Sequence, residues 1–239
     1  MSSIINSNEA VVFIPGALCS NEIFAEQVAG INPPFKAIFI DNMQSKTITE
    51  MAKTLLAHAP SRFAVVGISM GGYVALEVLR LAPDRVWGGV LISTSPRAEM
   101  PSQSEERKLW IERIESGQYE GLVDEIVDAC VSNKSASSDA RRCFRQMVNI
   151  HLADSFGRQM TACATRPDFQ ESLKNIRCPV LLIVGNDDSE FFRNGVQEIS
   201  ESVIGSEMLI LPNCGHLPPI ENPSSTTKAI KQFLLKASK

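Results

Sequence analysis

Six short runs of apolar residues, each nearly free of charge, constrain the fold of this 239-residue chain more than any other feature. Such runs are typical of strands that are buried on both faces of a parallel sheet, and the stretches between them carry helical periodicity. The alternation predicts a three-layer α/β fold in which about six parallel strands are flanked by helices. The runs are Ala10–Ile14, Ala37–Ile40, Phe63–Ile68, Val86–Ile92, Val180–Val184 and Met208–Leu211.

The alternation is interrupted once, from about Arg97 to Ile176, where the sequence has helical periodicity only. A segment of roughly 80 residues is too long for a loop between two strands of a compact domain. We therefore predict a helical cap insertion over residues 97–176, and a core formed by residues 1–96 and 177–239. The apolar stripes of the insertion either line a pocket or pack against one another. They contain Trp110, Phe144, Met147, His151, Phe156 and Met160.

The composition excludes several classes of protein. A formal net charge of −4 gives no electrostatic reason to expect a nucleic acid or an anionic membrane as partner. No apolar run approaches the ~20 residues of a membrane span, and the segment Met1–Asn6 lacks the basic and apolar regions of a signal peptide. We expect a cytoplasmic monomer or homodimer that acts on a small molecule.

The cysteines and histidines give no sign of a metal site. The six cysteines have no paired spacing, and in a cytoplasmic chain they are expected to be reduced and to serve as small apolar side chains. A Cys-x-x-Cys pair, a His-x-x-x-His pair and a glycine-rich phosphate loop are all absent from the sequence. We therefore expect neither a metal nor a cofactor.

The pentapeptide Gly67-Ile68-Ser69-Met70-Gly71 lies between a predicted strand and a predicted helix. A serine at such a corner projects its hydroxyl beyond the edge of the sheet, and the flanking glycines avoid a collision as strand and helix converge. The pentapeptide alone is weak evidence, so its context carries the interpretation. We predict that Ser69 is a nucleophile.

A serine hydroxyl needs a base, and the base needs a group that orients it. His216 follows the last predicted strand on a turn rich in Gly and Pro, where such a base is expected. His58 ends a predicted surface helix and is interpreted as a solvated side chain. The orienting carboxylate should follow the preceding strand, where Asp187 and Asp188 are both candidates.

The charge that develops on the substrate carbonyl requires an oxyanion hole, which two backbone N–H groups usually supply. Met70, the first residue of the helix after Ser69, is the candidate for one of them. Ala17, in the loop after the first strand, is the candidate for the other. The side chains of Leu18 and Met70 are expected to form the floor of the pocket.

Together these segments resemble the α/β-hydrolase superfamily over nearly the whole chain, with the insertion in the place of the family's variable cap. The resemblance implies that the acid comes three residues after a glycine, which favours Asp188 over Asp187. The matching segments are Phe13–Gly16 for the oxyanion loop, Gly67–Gly72 for the nucleophile elbow, Leu182–Asp188 for the acid, and Gly215–His216 with Glu221–Pro223 for the base turn.

The nucleophile type restricts the reaction. Ser69 at the elbow argues against the dehalogenase and epoxide-hydrolase branches of the family, in which an aspartate attacks. We expect hydrolysis of a carboxylic ester or thioester of a small, largely apolar substrate through an acyl-enzyme. Two alternatives remain open: a carbon–carbon bond hydrolase on the same triad, and a small-molecule receptor with little turnover.

Overall fold

A single parallel sheet of six strands forms the centre of the protein, in the order β2-β1-β3-β4-β5-β6. The structure is a computed structural model that describes residues 9–41, 45–118, 121–135 and 139–239, without the side chains of residues 153 and 154. The segment Met1–Asn6 lies outside the described residues. The strands are β1 Ala10–Ile14, β2 Lys36–Phe39, β3 Phe63–Ile68, β4 Val86–Ile92, β5 Val180–Gly185 and β6 Glu207–Leu211.

Helices follow every strand and flank the sheet, so the predicted α/β fold is confirmed. Helix α1 packs against α10, and α2 packs against α3. The helices are α1 Ala25–Ile31, which a 3-10 turn Asn21–Phe24 precedes, α2 Ile48–His58, α3 Met70–Leu81, α4 Pro101–Glu115, α5 Leu122–Cys130, α6 Ala140–Ala164, α7 Gln170–Leu173, α8 Glu190–Ser202, α9 Pro218–Glu221 and α10 Pro223–Ala237.

Burial differs between the middle and the edge of the sheet. Every residue of β1, β3, β4 and β5 is buried, as the charge-free runs predict. The prediction of burial on both faces is wrong for both edge strands: β2 has no buried residue, and in β6 Met208 is 38% exposed and Ile210 is 51% exposed. These two side chains remain accessible because β6 has a neighbouring strand on one side only.

The insertion between β4 and β5 forms helices α4 to α7 and has no strand in its described residues. The predicted apolar residues from Phe144 to Met160 all lie on one continuous helix of 25 residues, α6. Because β4 and β5 are neighbours in the sheet, the insertion leaves and rejoins the core at adjacent strands. Its bounds at residues 97 and 176 remain a prediction. In the described part of the chain, no helix combines the length and the apolar character that a membrane crossing would require.

Candidate active site

Ser69 occupies a strained corner between β3 and α3, with φ 54° and ψ −117°. Positive φ is uncommon for a residue with a side chain, and it persists only where the surroundings fix it. The Ser69 N–H donates to the carbonyl oxygen of Ile92 on β4 at 2.9 Å. Its own carbonyl oxygen accepts the N–H groups of Gly72 and Tyr73 at 2.9 and 3.2 Å. The backbone is therefore held on both sides of the serine, whose side chain borders a cavity.

The two glycines of the pentapeptide are required by close contacts of the backbone. A Cβ atom on Gly67 would lie 2.2 Å from the carbonyl oxygen of Gly71. A Cβ atom on Gly71 would lie 2.1 Å from the carbonyl oxygen of Ile14 on β1. Both distances are far below van der Waals contact, so the predicted steric role of these glycines is confirmed.

His216 contacts one of the two candidate aspartates. Its Nδ1 lies 3.0 and 3.1 Å from the two carboxylate oxygens of Asp188, and the side chains are 10% and 2% exposed. Because an ionised carboxylate only accepts hydrogen bonds, Nδ1 carries the hydrogen and Nε2 is left as the basic nitrogen. Asp187 instead accepts a hydrogen bond from the hydroxyl of Ser132 in the insertion, at 2.7 Å.

A buried carboxylate fixes the turn that carries His216. Glu221 is fully buried, and its Oε2 accepts the N–H groups of Gly215 and Ser132 at 2.8 and 2.9 Å. Its Oε1 accepts the N–H of Leu217 at 2.9 Å. Burial raises the pKa of the Glu221 carboxyl, and these three donors oppose that rise because they stabilise the ionised form. The two residues that flank His216 are thus bonded to one side chain.

Gln159 on α6 fixes the loop that follows β1, and sequence reasoning missed it. The N–H of Leu18, a residue with φ 60°, donates to Gln159 Oε1 at 2.9 Å in a buried position. Within the described residues, the N–H groups of Ala17 and Met70 have no backbone acceptor. The N–H groups of Ala17 and Met70 therefore remain candidates for a hydrogen bond to a bound oxygen atom.

A cavity of about 380 Å³ lies between the carboxyl end of the sheet and the insertion. Ser69, Asp188 and His216 all line it. Of the other residues selected from the sequence, those that also line it are Ala17, Leu18, Trp110, Phe144, Phe156 and Met160.

Three selected side chains do not line this cavity: those of Met70, Met147 and His151. Met70 and Met147 are buried elsewhere in the core. On α6, successive residues are rotated by about 100°. By this rotation His151 lies only about 20° from the lining residue Phe144, so helical periodicity alone does not separate the lining residues of α6 from Met147 and His151.

Cysteines and aromatic rings form parts of the wall that sequence reasoning did not anticipate. Cys19, Cys130 and Cys163 line the cavity as free thiols. Burial raises the pKa of Cys19 to about 12 and raises those of the other two, so all three are protonated and weakly polar at neutral pH. The ring of Phe192 lies 4.3 Å from the ring of His216. No three His, Cys, Asp or Glu side chains of the described chain are grouped as a metal site requires.

Comparisons with known proteins agree with this architecture. Two pimeloyl-[acyl-carrier protein] methyl ester esterases are similar in sequence. The one from Nitrosomonas europaea is 25% identical over 74% of this chain and 73% of its own, and the one from Pectobacterium carotovorum is 22% identical over 95% and 94%. A thermophilic esterase from Thermogutta terrifontis, solved with malate bound, superposes with a TM-score of 0.83 at 23% identity, over 96% of this chain and 90% of that one.

A family model provides the assignment. Residues 32–236 match the model of the Ndr family, and this range includes Ser69, Asp188 and His216. The match covers most of the chain, and the solved structures that resemble it share the α/β-hydrolase fold. The chain therefore belongs to the Ndr family, and the predicted membership of the α/β-hydrolase superfamily is confirmed.

Proposed function

We propose that the protein is a serine hydrolase that cleaves a carboxylic ester or thioester of a small, largely apolar substrate. The observation that carries the proposal is the contact between His216 and the buried Asp188, at the cavity that Ser69 borders from its strained corner. At the level of enzyme class, the predicted hydrolase acting on ester bonds is confirmed by relatives named as esterases. A cytoplasmic location and a monomeric or homodimeric state belong to the proposal as well.

The proposed mechanism uses three side chains. Ser69 Oγ attacks the substrate carbonyl, and His216 Nε2 accepts the hydroxyl proton. Asp188 holds the imidazole in the correct tautomer and stabilises the imidazolium that forms. The imidazolium then protonates the leaving alcohol or thiol. In the second half of the reaction, His216 removes a proton from water, which attacks the acyl-enzyme and releases the acid.

The amides of Ala17 and Met70 are proposed to bind the oxyanion. Met70 begins helix α3, and the N-terminus of a helix favours negative charge. Hydrogen bonds to an oxyanion are worth about 10²–10³ in kcat for each donor. Because Gln159 already accepts the N–H of Leu18, it fixes the orientation of the loop while leaving the Ala17 N–H free.

A substrate panel tests the proposed reaction. We expect turnover of short-chain nitrophenyl and methyl esters and of acyl thioesters, because a common acyl-enzyme serves all three. Initial rates measured side by side with a matched dienol-type carbon–carbon substrate would show the preferred bond. Binding of these esters without measurable turnover would contradict hydrolysis and favour a receptor.

Gln159 provides a separate test of the oxyanion loop. The variant Gln159→Met removes the acceptor of the Leu18 N–H, so we expect kcat to fall by about 10-fold or more while KM changes little, since the loss concerns the transition state. The variant Gln159→Glu keeps an oxygen acceptor at this position and should retain more of the activity. A kcat of Gln159→Met equal to that of the wild type, at unchanged melting temperature, would argue against this role.

A further inference from the structure

Two arginines and one glutamate of the insertion form a buried cluster at the wall of the cavity. Arg107 donates from Nε and Nη2 to the two oxygens of Glu99, at 2.8 and 3.2 Å. Arg166 donates from Nη1 to the same carboxylate. The side chains of Arg107, Arg166 and Glu99 are 16%, 0% and 5% exposed. Because two guanidinium groups share one carboxylate, the cluster keeps one positive charge without a partner inside it.

Arg166 has a structural role in this cluster. Its guanidinium lies 4.7 Å above the ring of Tyr73 on α3, and every part of it is occupied by acceptors of the protein. The acceptors besides Glu99 are the carbonyl oxygens of Arg97, Ala98 and Cys163 and the side-chain oxygen of Gln103, at 2.7 to 3.2 Å. A guanidinium so occupied holds the insertion together and has no donor left for a ligand.

Arg107 differs from Arg166 because it lines the cavity and retains donor capacity. Among the residues that the structure describes, the one acceptor of its Nη1 is the sulfur of Met160, which is a weak acceptor. Glu99 occupies the Nε–Nη2 edge, so the Nη1–Nη2 edge is left for a second planar anion. A carboxylate matches such an edge in charge and in geometry, with two parallel hydrogen bonds.

A second acid at the cavity, Glu106, does not neutralise this edge. Glu106 also borders the cavity, but it is exposed to solvent. Among the ion pairs of the described residues, none joins Glu106 to Arg107. A solvated carboxylate that makes no direct pair interacts weakly with a partly buried charge.

We propose that Arg107 binds a carboxylate of the substrate, so that the preferred substrates are esters or thioesters with a free carboxylate remote from the reacting carbonyl. This inference rests on the proposed function of the Ser69 site. Tyr73 lies one helical turn beyond Ser69, and Arg107 reaches this region through Glu99 and Arg166. Ser69 precedes α3 and Arg107 lies on α4, and both line the cavity, so one substrate can present its carbonyl to the first and a carboxylate to the second.

The experiment compares matched ester pairs. Monomethyl esters of linear dicarboxylic acids of increasing chain length are paired with methyl esters of monocarboxylic acids of the same length. At one chain length, we expect the wild type to prefer the acid-bearing ester by about 10-fold or more in kcat/KM. Arg107→Gln should lower kcat/KM for that ester by about 10–100-fold and change the neutral ester by less than about 3-fold.

Two further variants serve as controls. Arg107→Lys keeps the charge but not the planar edge, so it should retain an intermediate preference and provides the comparison if Arg107→Gln does not fold. Glu106→Gln, which alters the neighbouring acid at the same cavity, should keep the preference or increase it. Melting temperatures of all variants separate loss of binding from loss of fold.

The outcomes are distinguishable. Equal kcat/KM within every ester pair in the wild type would overturn the inference, as would an equal loss on both esters of the preferred pair in Arg107→Gln and Arg107→Lys. A preference for an ester of the same length with a terminal phosphate would overturn the assignment to a carboxylate. If neutral esters are hydrolysed without any such preference, the inference about Arg107 fails and the hydrolase remains. If no ester is hydrolysed, the proposed function itself fails.

Discussion

Replacing Ser69 by alanine is expected to lower kcat for ester hydrolysis by a factor on the order of 10⁶, because the variant lacks the hydroxyl that is proposed to form the acyl-enzyme. The thiols of Cys19, Cys130 and Cys163 do not substitute for it, since burial raises their pKa and keeps them protonated. Steady-state rates with a nitrophenyl ester, together with a search for the acyl-enzyme by mass spectrometry, would measure the effect.

Ser93 offers a matched control for this substitution. It is also a serine with positive φ, 45°, it is buried, and it directly follows β4, but it does not line the cavity. Ser93→Ala should keep its activity within about 3-fold of the wild type, as expected of a site that makes no contact with substrate. Undiminished hydrolysis by Ser69→Ala would remove the nucleophile from the proposal, whatever the behaviour of the control.

Asp188→Asn is expected to lower kcat by about 10⁴-fold, because the amide would hold the imidazole of His216 in the wrong tautomer. The effect should appear in kcat more than in KM, since Asp188 acts through His216 on the transition state. Stopped-flow or steady-state rates with the same nitrophenyl ester would measure it.

Asp187→Asn is the control for the acid. Asp187 precedes Asp188 directly, but its carboxylate accepts a hydrogen bond from Ser132 and lies 4.0 Å from the amino group of Lys134. Its conversion to asparagine should therefore cost less than about 10-fold in kcat. A large loss in Asp187→Asn with a small one in Asp188→Asn would transfer the orienting role to Asp187.

The sequence predicts the central sheet well because its signals are local. Each strand coincides with a run that is nearly free of charge, and every predicted boundary lies within one residue of the strand in the structure. The elbow at Ser69 is predictable for the same reason, since the glycines that its geometry requires are two residues away on either side. The position of His216 follows from the turn after the last strand.

The lining of the cavity could not be predicted in the same way. The apolar periodicity of α6 identifies buried residues, but it does not separate Phe144, which lines the cavity, from Met147, which packs elsewhere. Arg107 and Gln159 belong to helical patterns whose polar residues are ordinarily solvated. Leu18, the partner of Gln159, is 141 residues away, and Glu99, the partner of Arg107, lies eight residues earlier and outside helix α4, so helical periodicity reveals neither pairing.

The hydrogen bonds between insertion and core limit how the specificity of this enzyme can diverge. The N–H of His216 donates to the carbonyl oxygen of Cys130, and the N–H of Leu18 donates to Gln159. Both acceptors belong to the insertion, which a chimera with a related hydrolase would exchange. A foreign insertion would alter substrate selection, and it would also remove the hydrogen bonds that hold the loops of His216 and Leu18. Point substitutions at the cavity wall are therefore an easier evolutionary route to new substrates than wholesale replacement of residues 97–176.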